Sequence, residues 1–334
     1  MATGLIPLAP SNRRCLPEHL RDQVFDRHVL HQAHIPGDRL RAADILQVTH
    51  GAHRALTMPL TGWETLGYPT PPVSRPPEEV AVVVKRARAV ASHQTALRLH
   101  GFILPPWLQD DDGLIHVSRP HVRGVASRRG VVTHGRTVPA EDVEVMHGIP
   151  VTSIERTRAD LAALLPMGMV DELVVAGDGI VKRPWTPDGR REPLTTVERL
   201  RAAVSRAGRY KGVRTARAAL DLIRVGSDAA TETKMRLSLI HAGLPEPELQ
   251  LILDPSRPVS PDGDMGYRQW RLVLHYDGAP HDDEAQKLVD AWRNKGWDDA
   301  GWAQIWATVE DYRDDFRRVI HEVRCRRDEV EGQG

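Results

Sequence analysis

The spacing of apolar residues in the last hundred positions predicts alternating helices and strands. Residues 230–242 carry Met235, Leu239 and Ala242 on one helical stripe. Short apolar runs follow at 249–253, 264–267 and 270–276, and the last two are typical of a hairpin. A helical pattern at 282–300, a strand at 302–309 and a closing helix at 311–327 complete the series. This order predicts an α+β fold, with a mixed C-terminal sheet flanked by helices.

The N-terminal two thirds show weaker periodicity. Residues 1–17 are rich in proline and lack a pattern, so we expect them to be disordered. Short amphipathic pieces and an extended run over 18–66 suit a winged-helix-like module, although a plain helical subdomain fits them equally well. After a proline-rich linker, the pattern predicts an α/β region over 80–181. It should begin with a helix at 87–99, continue with short strands at 114–118, 130–134 and 143–153, and end with a helix at 171–181.

Charge is distributed unevenly along a chain whose net charge is zero. Residues 1–220 carry 30 Lys+Arg and 22 Asp+Glu, or +8, whereas residues 221–334 carry 15 and 23, or −8. We therefore place a basic helical linker at 182–225 and a separate domain at 226–327. Residues 199–217 hold seven basic and no acidic residues, so Arg209, Lys211 and Arg214 are candidate phosphate contacts. The alternative is a basic surface between domains.

Composition excludes several classes of protein. Two cysteines, near opposite ends, cannot supply a disulfide framework or a structural zinc site, and they suit a reducing, cytoplasmic location. No apolar stretch reaches 18 residues, and the N-terminus lacks a secretory pattern, so we expect no membrane association.

Acidic residues at the predicted strand ends are candidates for metal chemistry. Glu232 lies on the first helix of the C-terminal domain, Asp264 at the start of a strand and Asp277 at the end of the next. Carboxylates brought together in this way bind a hard divalent cation, which activates water for attack on a phosphodiester. His281 follows closely enough to deprotonate that water. Each acid taken alone could instead cap a turn or lie on the surface.

These C-terminal segments resemble a known family of nucleases. They resemble segments of the DUF559 family and follow one another in the same order. The segments are ATETKMRLSLIHAGLPEPELQ, GDMGYRQWRLVLHYDG, RNKGWDDAGWAQIWATVEDY and the basic helix after them. That family is a branch of the PD-(D/E)XK superfamily, similar to very-short-patch repair endonucleases. The resemblance covers about residues 226–327 and implies a restriction-endonuclease-like fold with metal-dependent cleavage of DNA.

The preceding region has a looser resemblance. ASHQTALRLHGF and RRGVVTHGRTVPAEDVEVMHGIPVTSIERTRADLA are similar to the AbiEi-antitoxin-like region, with its winged helix, that precedes such domains in actinobacterial proteins. The resemblance weakens before residue 80.

Carried over residue by residue, the nuclease resemblance implies a site with one substitution. Asp264, His275 and Asp277 would bind a divalent Mg or Mn ion, Glu232 would position water, and His281 would act as base or proton shuttle. Asp290 and Gly301-Trp302 also match the family pattern. The family has glutamate-tyrosine-aspartate-glycine where this chain has His275-Tyr276-Asp277-Gly278. A neutral imidazole suits Mn better than Mg, which prefers oxygen ligands.

Three functions remain open at this point. The first is a metal-dependent DNA endonuclease, with activity impaired by His275. The second is a non-catalytic DNA-binding or antitoxin-like regulator that uses a degenerate nuclease fold. The third is a protein-interaction module with an unknown partner. A resemblance of fold alone does not choose among them.

Overall fold

The structure is a computed structural model, and the chain divides into two compact units, 1–161 and 162–334. The residues that it describes are 16–21, 24–42, 44–49, 52–55, 75–102, 108, 113–120, 130–165, 168–186, 189–257, 259–277 and 284–332. The expected disordered segment 1–17 therefore lies almost entirely outside the described residues. None of the described helices is long and apolar enough to cross a membrane.

The first unit begins with two short helices and a hairpin. Asp26 caps the second helix, because its Oδ1 accepts a hydrogen bond of 2.9 Å from the backbone N of Val29. Leu20, Phe25 and Leu30 form a small buried cluster beneath the hairpin. The elements are α1 (Glu18–Arg21), α2 (Arg27–Gln32), β1 (Ile45–Thr49) and β2 (Ala52–Ala55).

A five-stranded mixed sheet forms the rest of the first unit. Its strand order is β5-β4-β3-β7-β6, so β5 and β6 are the edges. The valines of α3 pack on this sheet and form its core with Ile115, Val117 and Val151. The elements are α3 (Pro77–Ala87), β3 (Val90–Ala91), α4 (His93–Leu99), β4 (Ile115–Arg119), β5 (Val131–Gly135), β6 (Val143–Met146), β7 (Ile149–Thr152) and α5 (Ile154–Leu161).

The single helix predicted at 87–99 is wrong. A helix ends at Ala87 instead, Arg88 adopts a left-handed conformation with φ of 47°, and Val90–Ala91 is a strand. This strand lies between β4 and β7, and its pairing with both outweighs the local preference for helix. The predicted strands at 114–118, 130–134 and 143–153 correspond to β4, β5 and the hairpin β6–β7.

The second unit contains a four-stranded mixed sheet with helices on both faces, as the pattern predicts. The sheet order is β10-β11-β12-β13, and only β12 and β13 are parallel. The elements are α6 (Val170–Val181), β8 (Trp185–Thr186), β9 (Gly189–Arg190), α7 (Val197–Arg206), α8 (Val213–Leu222), α9 (Ala230–His241), β10 (Glu248–Ile252), β11 (Asp262–Tyr267), β12 (Leu272–Tyr276), α10 (Glu284–Asp299), β13 (Ala303–Ala307), α11 (Val309–Arg313) and α12 (Arg317–Glu331).

Alternation along β12 distributes its side chains between two cores. Leu272 and Leu274 pack with residues of α9 and α12, including Met235. Val273 packs on the other face with Leu251 and with Trp297 of α10. Because successive strand residues point to opposite faces, His275 lies on the same face as Val273.

The predicted boundary at 226 does not coincide with the division between units. Residues 162–225 belong to the same unit as the sheet, and α6 packs against both α8 and α9. Arg236 of α9 is fully buried and donates to Asp178 of α6 at 2.9 Å. The net charge of the sequence changes sign near residue 226, but buried contacts such as this one join the residues on either side of that position into one unit.

Candidate carboxylate site and basic surface

Two of the predicted acidic residues meet where β11 and β12 separate. Their antiparallel register runs from Tyr267↔Leu272 to Met265↔Leu274. At the next position, Oδ2 of Asp264 accepts a hydrogen bond of 2.6 Å from the backbone N of Tyr276. A carboxylate therefore occupies the place of a backbone acceptor between two strands.

Glu232 approaches this carboxylate from the first turn of α9. Its Oε2 accepts a hydrogen bond of 2.8 Å from the backbone N of Asp228. Asp228 is held in turn by both guanidinium nitrogens of Arg190, at 3.0 and 2.9 Å, and by Nζ of Lys182 on its carbonyl at 3.0 Å. The segment before α9 is thus anchored to the β8–β9 hairpin, which fixes the position of Glu232.

Burial and mutual repulsion keep this pair partly protonated. Burial and, next, the negative charge of Asp264 together raise the pKa of Glu232 to about 7. Burial also raises the pKa of Asp264 to about 6, although the hydrogen bond from Tyr276 and the charge of Arg293 oppose the change. Two carboxyls that resist full ionisation would be stabilised by a cation beside them.

His275, which the resemblance implies as a metal ligand, has its side chain in the protein interior. Its ring is buried and stacks on Trp306, with centroids 4.4 Å apart. Burial and the charge of Arg293 lower its pKa to about 4. Arg293 belongs to α10, as does Asp290, whose charge opposes this shift. The imidazole therefore packs on the face covered by α10, as the alternation along β12 requires.

The other predicted site residues do not complete a metal shell. Asp277 is exposed just beyond β12, and its backbone N donates to the carbonyl of Ala307 at 2.8 Å. His281 lies outside the described residues. Within the described ranges, no group of three or more His, Cys, Asp or Glu side chains has an arrangement that could hold a metal ion. Of the predicted residues, Glu232 and Asp264 are the two that we take as the candidate carboxylate site.

A second candidate feature is a basic surface formed by α8 and by the turn that joins α7 to it. The exposed side chains are those of Arg209, Lys211, Arg214 and Arg217, and none makes an ion pair with a residue that the structure describes. The opposite faces of these helices are buried through Leu200, Val204, Ala216, Ala219 and Leu220. We call the four basic residues the α7–α8 basic surface.

Gly212 fixes the geometry of this surface. Its φ is 88°, and a Cβ added there would lie 2.0 Å from the carbonyl oxygen of Ala162. Only glycine permits this conformation and this close approach at once. The glycine in the sequence YKGVR is therefore needed for the close packing of the turn before α8.

Sequence reasoning did not find Asp228 or Arg190. Arg190 appears in a basic loop and Asp228 in a short polar segment, with no spacing that links them. Their pairing depends on the packing of the β8–β9 hairpin beside α9. Comparisons with protein-family models, with curated proteins and with solved structures find no match for this chain.

The coupling of the two carboxyls can be measured directly. We expect Asp264→Asn to lower the pKa of Glu232 from about 7 toward its ordinary value, because a neighbouring negative charge is removed. Carbon-13 NMR titration of the glutamate side chains would follow this change. Asp290→Asn is the matched control, since Asp290 faces His275 and should leave the pKa of Glu232 unchanged. An unaltered Glu232 titration in Asp264→Asn would contradict the coupling.

Proposed function

We propose that this protein binds DNA and that the α7–α8 basic surface contacts the phosphate backbone. The observation that carries the proposal is the exposed array Arg209, Lys211, Arg214 and Arg217, which makes no ion pairs with described residues. Cations left available in this way bind phosphates and release the counterions condensed on DNA. The buried apolar face beneath them gives the array a fixed geometry.

The nuclease-like domain serves in this proposal mainly as a scaffold. The α-β-β-β-α-β-α order fits a restriction-endonuclease-like fold, and the helix–helix–hairpin start of the chain fits a winged-helix-like module. The neutral imidazole of His275, buried against Trp306 where the resembled family has a glutamate, favours a non-catalytic, antitoxin-like regulator over an active endonuclease. A cytoplasmic location stays a prediction from cysteine usage.

Charge reversal tests the DNA-binding proposal. We expect the triple variant Arg209→Glu, Lys211→Glu, Arg214→Glu to bind duplex DNA about 10- to 100-fold more weakly near physiological salt, because three attractive side chains then repel the phosphates. The salt dependence should also decrease, by about 0.9 log units of slope for each phosphate that the variant no longer neutralises. Fluorescence anisotropy across a salt series measures both quantities.

A charge-matched control separates this surface from a general loss of positive charge. Lys295, Arg313 and Arg317 are exposed in the same unit, but each pairs with a nearby acid. Reversing these three changes the net charge equally and should affect DNA affinity much less. Equal weakening by both triple variants would remove the α7–α8 basic surface from the proposal.

A second candidate is a weak, metal-dependent endonuclease, favoured by the Glu232–Asp264 pair. Two half-buried carboxyls with raised pKa values would bind a divalent ion with release of a proton, and such an ion activates water. Two protein carboxylates suit Mn, which accepts mixed ligands, better than a strongly hydrated Mg ion.

Plasmid nicking in Mg and Mn tests this candidate. We expect little or no nicking in Mg and any measurable rate to occur in Mn, with Asp264→Ala abolishing it. His275→Glu should not raise metal affinity, because position 275 is buried against Trp306 and lies near Arg293, whose positive charge would pair with the new carboxylate. Strong Mg-dependent nicking, or a gain of Mg affinity in His275→Glu by calorimetry, would contradict this interpretation of the site.

A further inference from the structure

Three histidines of the first unit form a buried cluster outside both features described above. They come from different elements: His93 begins α4, His116 lies on β4 and His134 lies on β5. The rings of His93 and His134 stack with centroids 3.5 Å apart, and Nδ1 of His116 lies 3.1 Å from Nε2 of His134. We call these residues the histidine cluster.

The hydrogen bond within the cluster requires that at least one of its two rings be neutral. The contact between His116 and His134 joins two ring nitrogens, so one must carry a hydrogen and the other must not. His93 is fully buried and contacts Oγ of Ser92 at 2.9 Å through Nδ1, while Ser118 donates to that same hydroxyl at 2.8 Å. Protonation of both His116 and His134 would remove the acceptor from their contact.

The charged groups around the cluster also disfavour protonation. Arg98 on α4, Arg136 after β5 and Arg156 on α5 all lie near enough to repel a charged imidazole. Arg136 and Arg156 are themselves bound to two carboxylates. Asp160 accepts from Arg136 at 2.9 Å and from Arg156 at 3.0 Å, and Asp142 accepts from Arg156 at 3.2 Å.

The effect on the histidine pKa values follows from burial and these charges. Burial lowers the pKa of His116 to about 4, with a further contribution from Arg98. Burial likewise lowers the pKa of His134 to about 4, with contributions from His116 and Arg136. The pKa of His93 is also lowered, mainly by burial and then by its two histidine neighbours.

The cluster joins the edge of the sheet to its interior. Among the strands that the structure describes, β5 lies at the edge of its sheet and pairs with β4. His134 is half-buried, whereas His93 and His116 beneath it are buried. His93 also has a φ of 53°, which is a strained conformation for a residue with a side chain. Release of β5 would expose the rings to water and allow them to become protonated.

We propose that His93, His116 and His134 form an acid-operated latch that holds β5 on the sheet of the first unit. At neutral pH the neutral rings stack and hydrogen-bond, and β5 stays in place. In mild acid the open form gains protons on the freed imidazoles, which the closed form excludes. β5 then opens before the unit as a whole unfolds.

The direction and size of the effect follow from proton linkage. A freed histidine titrates near its ordinary value of 6.5, whereas the closed form holds His116 and His134 at about 4. The closed form therefore has its full stability above 6.5 and loses it as the pH falls from 6.5 toward 4. Between pH 7.5 and 5.5 the opening constant should rise about 10-fold for each histidine freed, or about 100-fold for two.

Hydrogen exchange followed by mass spectrometry on the full chain tests the latch. After correction for intrinsic exchange rates, peptides covering Val131–Gly135 should open about 100-fold more readily at pH 5.5 than at pH 7.5. His134→Gln should reduce this ratio to about 10-fold, because only His116 still titrates on opening. His321→Gln, at an exposed histidine of α12, is the matched control and should retain the full ratio.

Two results would overturn the proposal without reference to any variant. One is a hydrogen-exchange result: exchange in β5 does not change with pH, or it rises equally over α3, β7 and β5, as it would if the whole unit unfolded. The other is a ring titration of His116 and His134 near 6.5 in the native chain, measured by nitrogen-15 NMR. If His134→Gln fails to fold, these two measurements still decide the question.

Discussion

Replacing Arg236 with methionine is expected to lower the free energy of unfolding of the second unit by about 3–5 kcal/mol, the usual cost of removing one partner of a buried ion pair. Arg236 is fully buried, and its guanidinium donates to Asp178 at 2.9 Å, to the carbonyl of Leu222 at 2.9 Å and to Glu246 at 2.8 Å. Methionine leaves Asp178 as a buried charge without its cation. Urea denaturation followed by tryptophan fluorescence measures the loss, since Trp270 and Trp297 are buried in this unit.

The destabilisation caused by Arg236→Met is expected to increase with pH. Burial already raises the pKa of Asp178, and Arg236 is the largest influence that opposes the rise. Without Arg236 the pKa of Asp178 should rise further above its value in the unfolded chain. The extra instability should then be small in acid, where the carboxyl is protonated in both states, and should grow as the pH rises.

Two comparisons separate the buried pair from a general effect of removing arginine. Arg317 is exposed and pairs with Asp314 at 3.5 Å, so Arg317→Met should cost less than about 0.5 kcal/mol. The double variant Arg236→Met, Asp178→Asn should recover part of the loss, because the uncompensated charge is gone. Equal destabilisation by Arg236→Met and Arg317→Met would show that the buried pair contributes nothing specific.

Gly212→Ala is expected to destabilise the second unit by about 2–4 kcal/mol, because it adds backbone strain and a steric clash together. The φ of 88° disfavours any side chain, and the new Cβ would lie 2.0 Å from the carbonyl oxygen of Ala162. A backbone atom cannot rotate away as a flexible side chain can. The same substitution should weaken DNA binding, since the turn before α8 carries Arg209 and Lys211.

Gly208 provides the matched control in the same turn. Its φ is 69°, but nothing lies within 4 Å of an added Cβ. Gly208→Ala should therefore cost only the backbone strain, about 1 kcal/mol. Thermal unfolding of both variants measures the difference, and equal losses would mean that the approach to Ala162 is easily relieved.

Local patterns in the sequence were enough to predict the order of helices and strands from α9 to β13. The apolar stripe of α9, the short runs of β10 to β12 and the helical spacing of α10 are each encoded within a few consecutive residues. Glu232 and Asp264 could be singled out for a related reason, because acids at a helix start and a strand end are visible in one segment. Gly212 and the basic residues beside it can also be recognised from the sequence alone, because they are adjacent in one short segment.

Tertiary packing alone decided the rest, because those features join residues that are far apart in the chain. His275 follows the alternation of β12, but only the position of α10 shows which face it meets. The Asp228–Arg190 and Arg236–Asp178 pairs span 38 and 58 positions, so no local spacing could reveal them or the division at 161/162. The histidine cluster likewise forms because β4 and β5 pair beside α4. The sequence by itself determined the elements and their chemistry, and the long-range packing determined which of these groups meet.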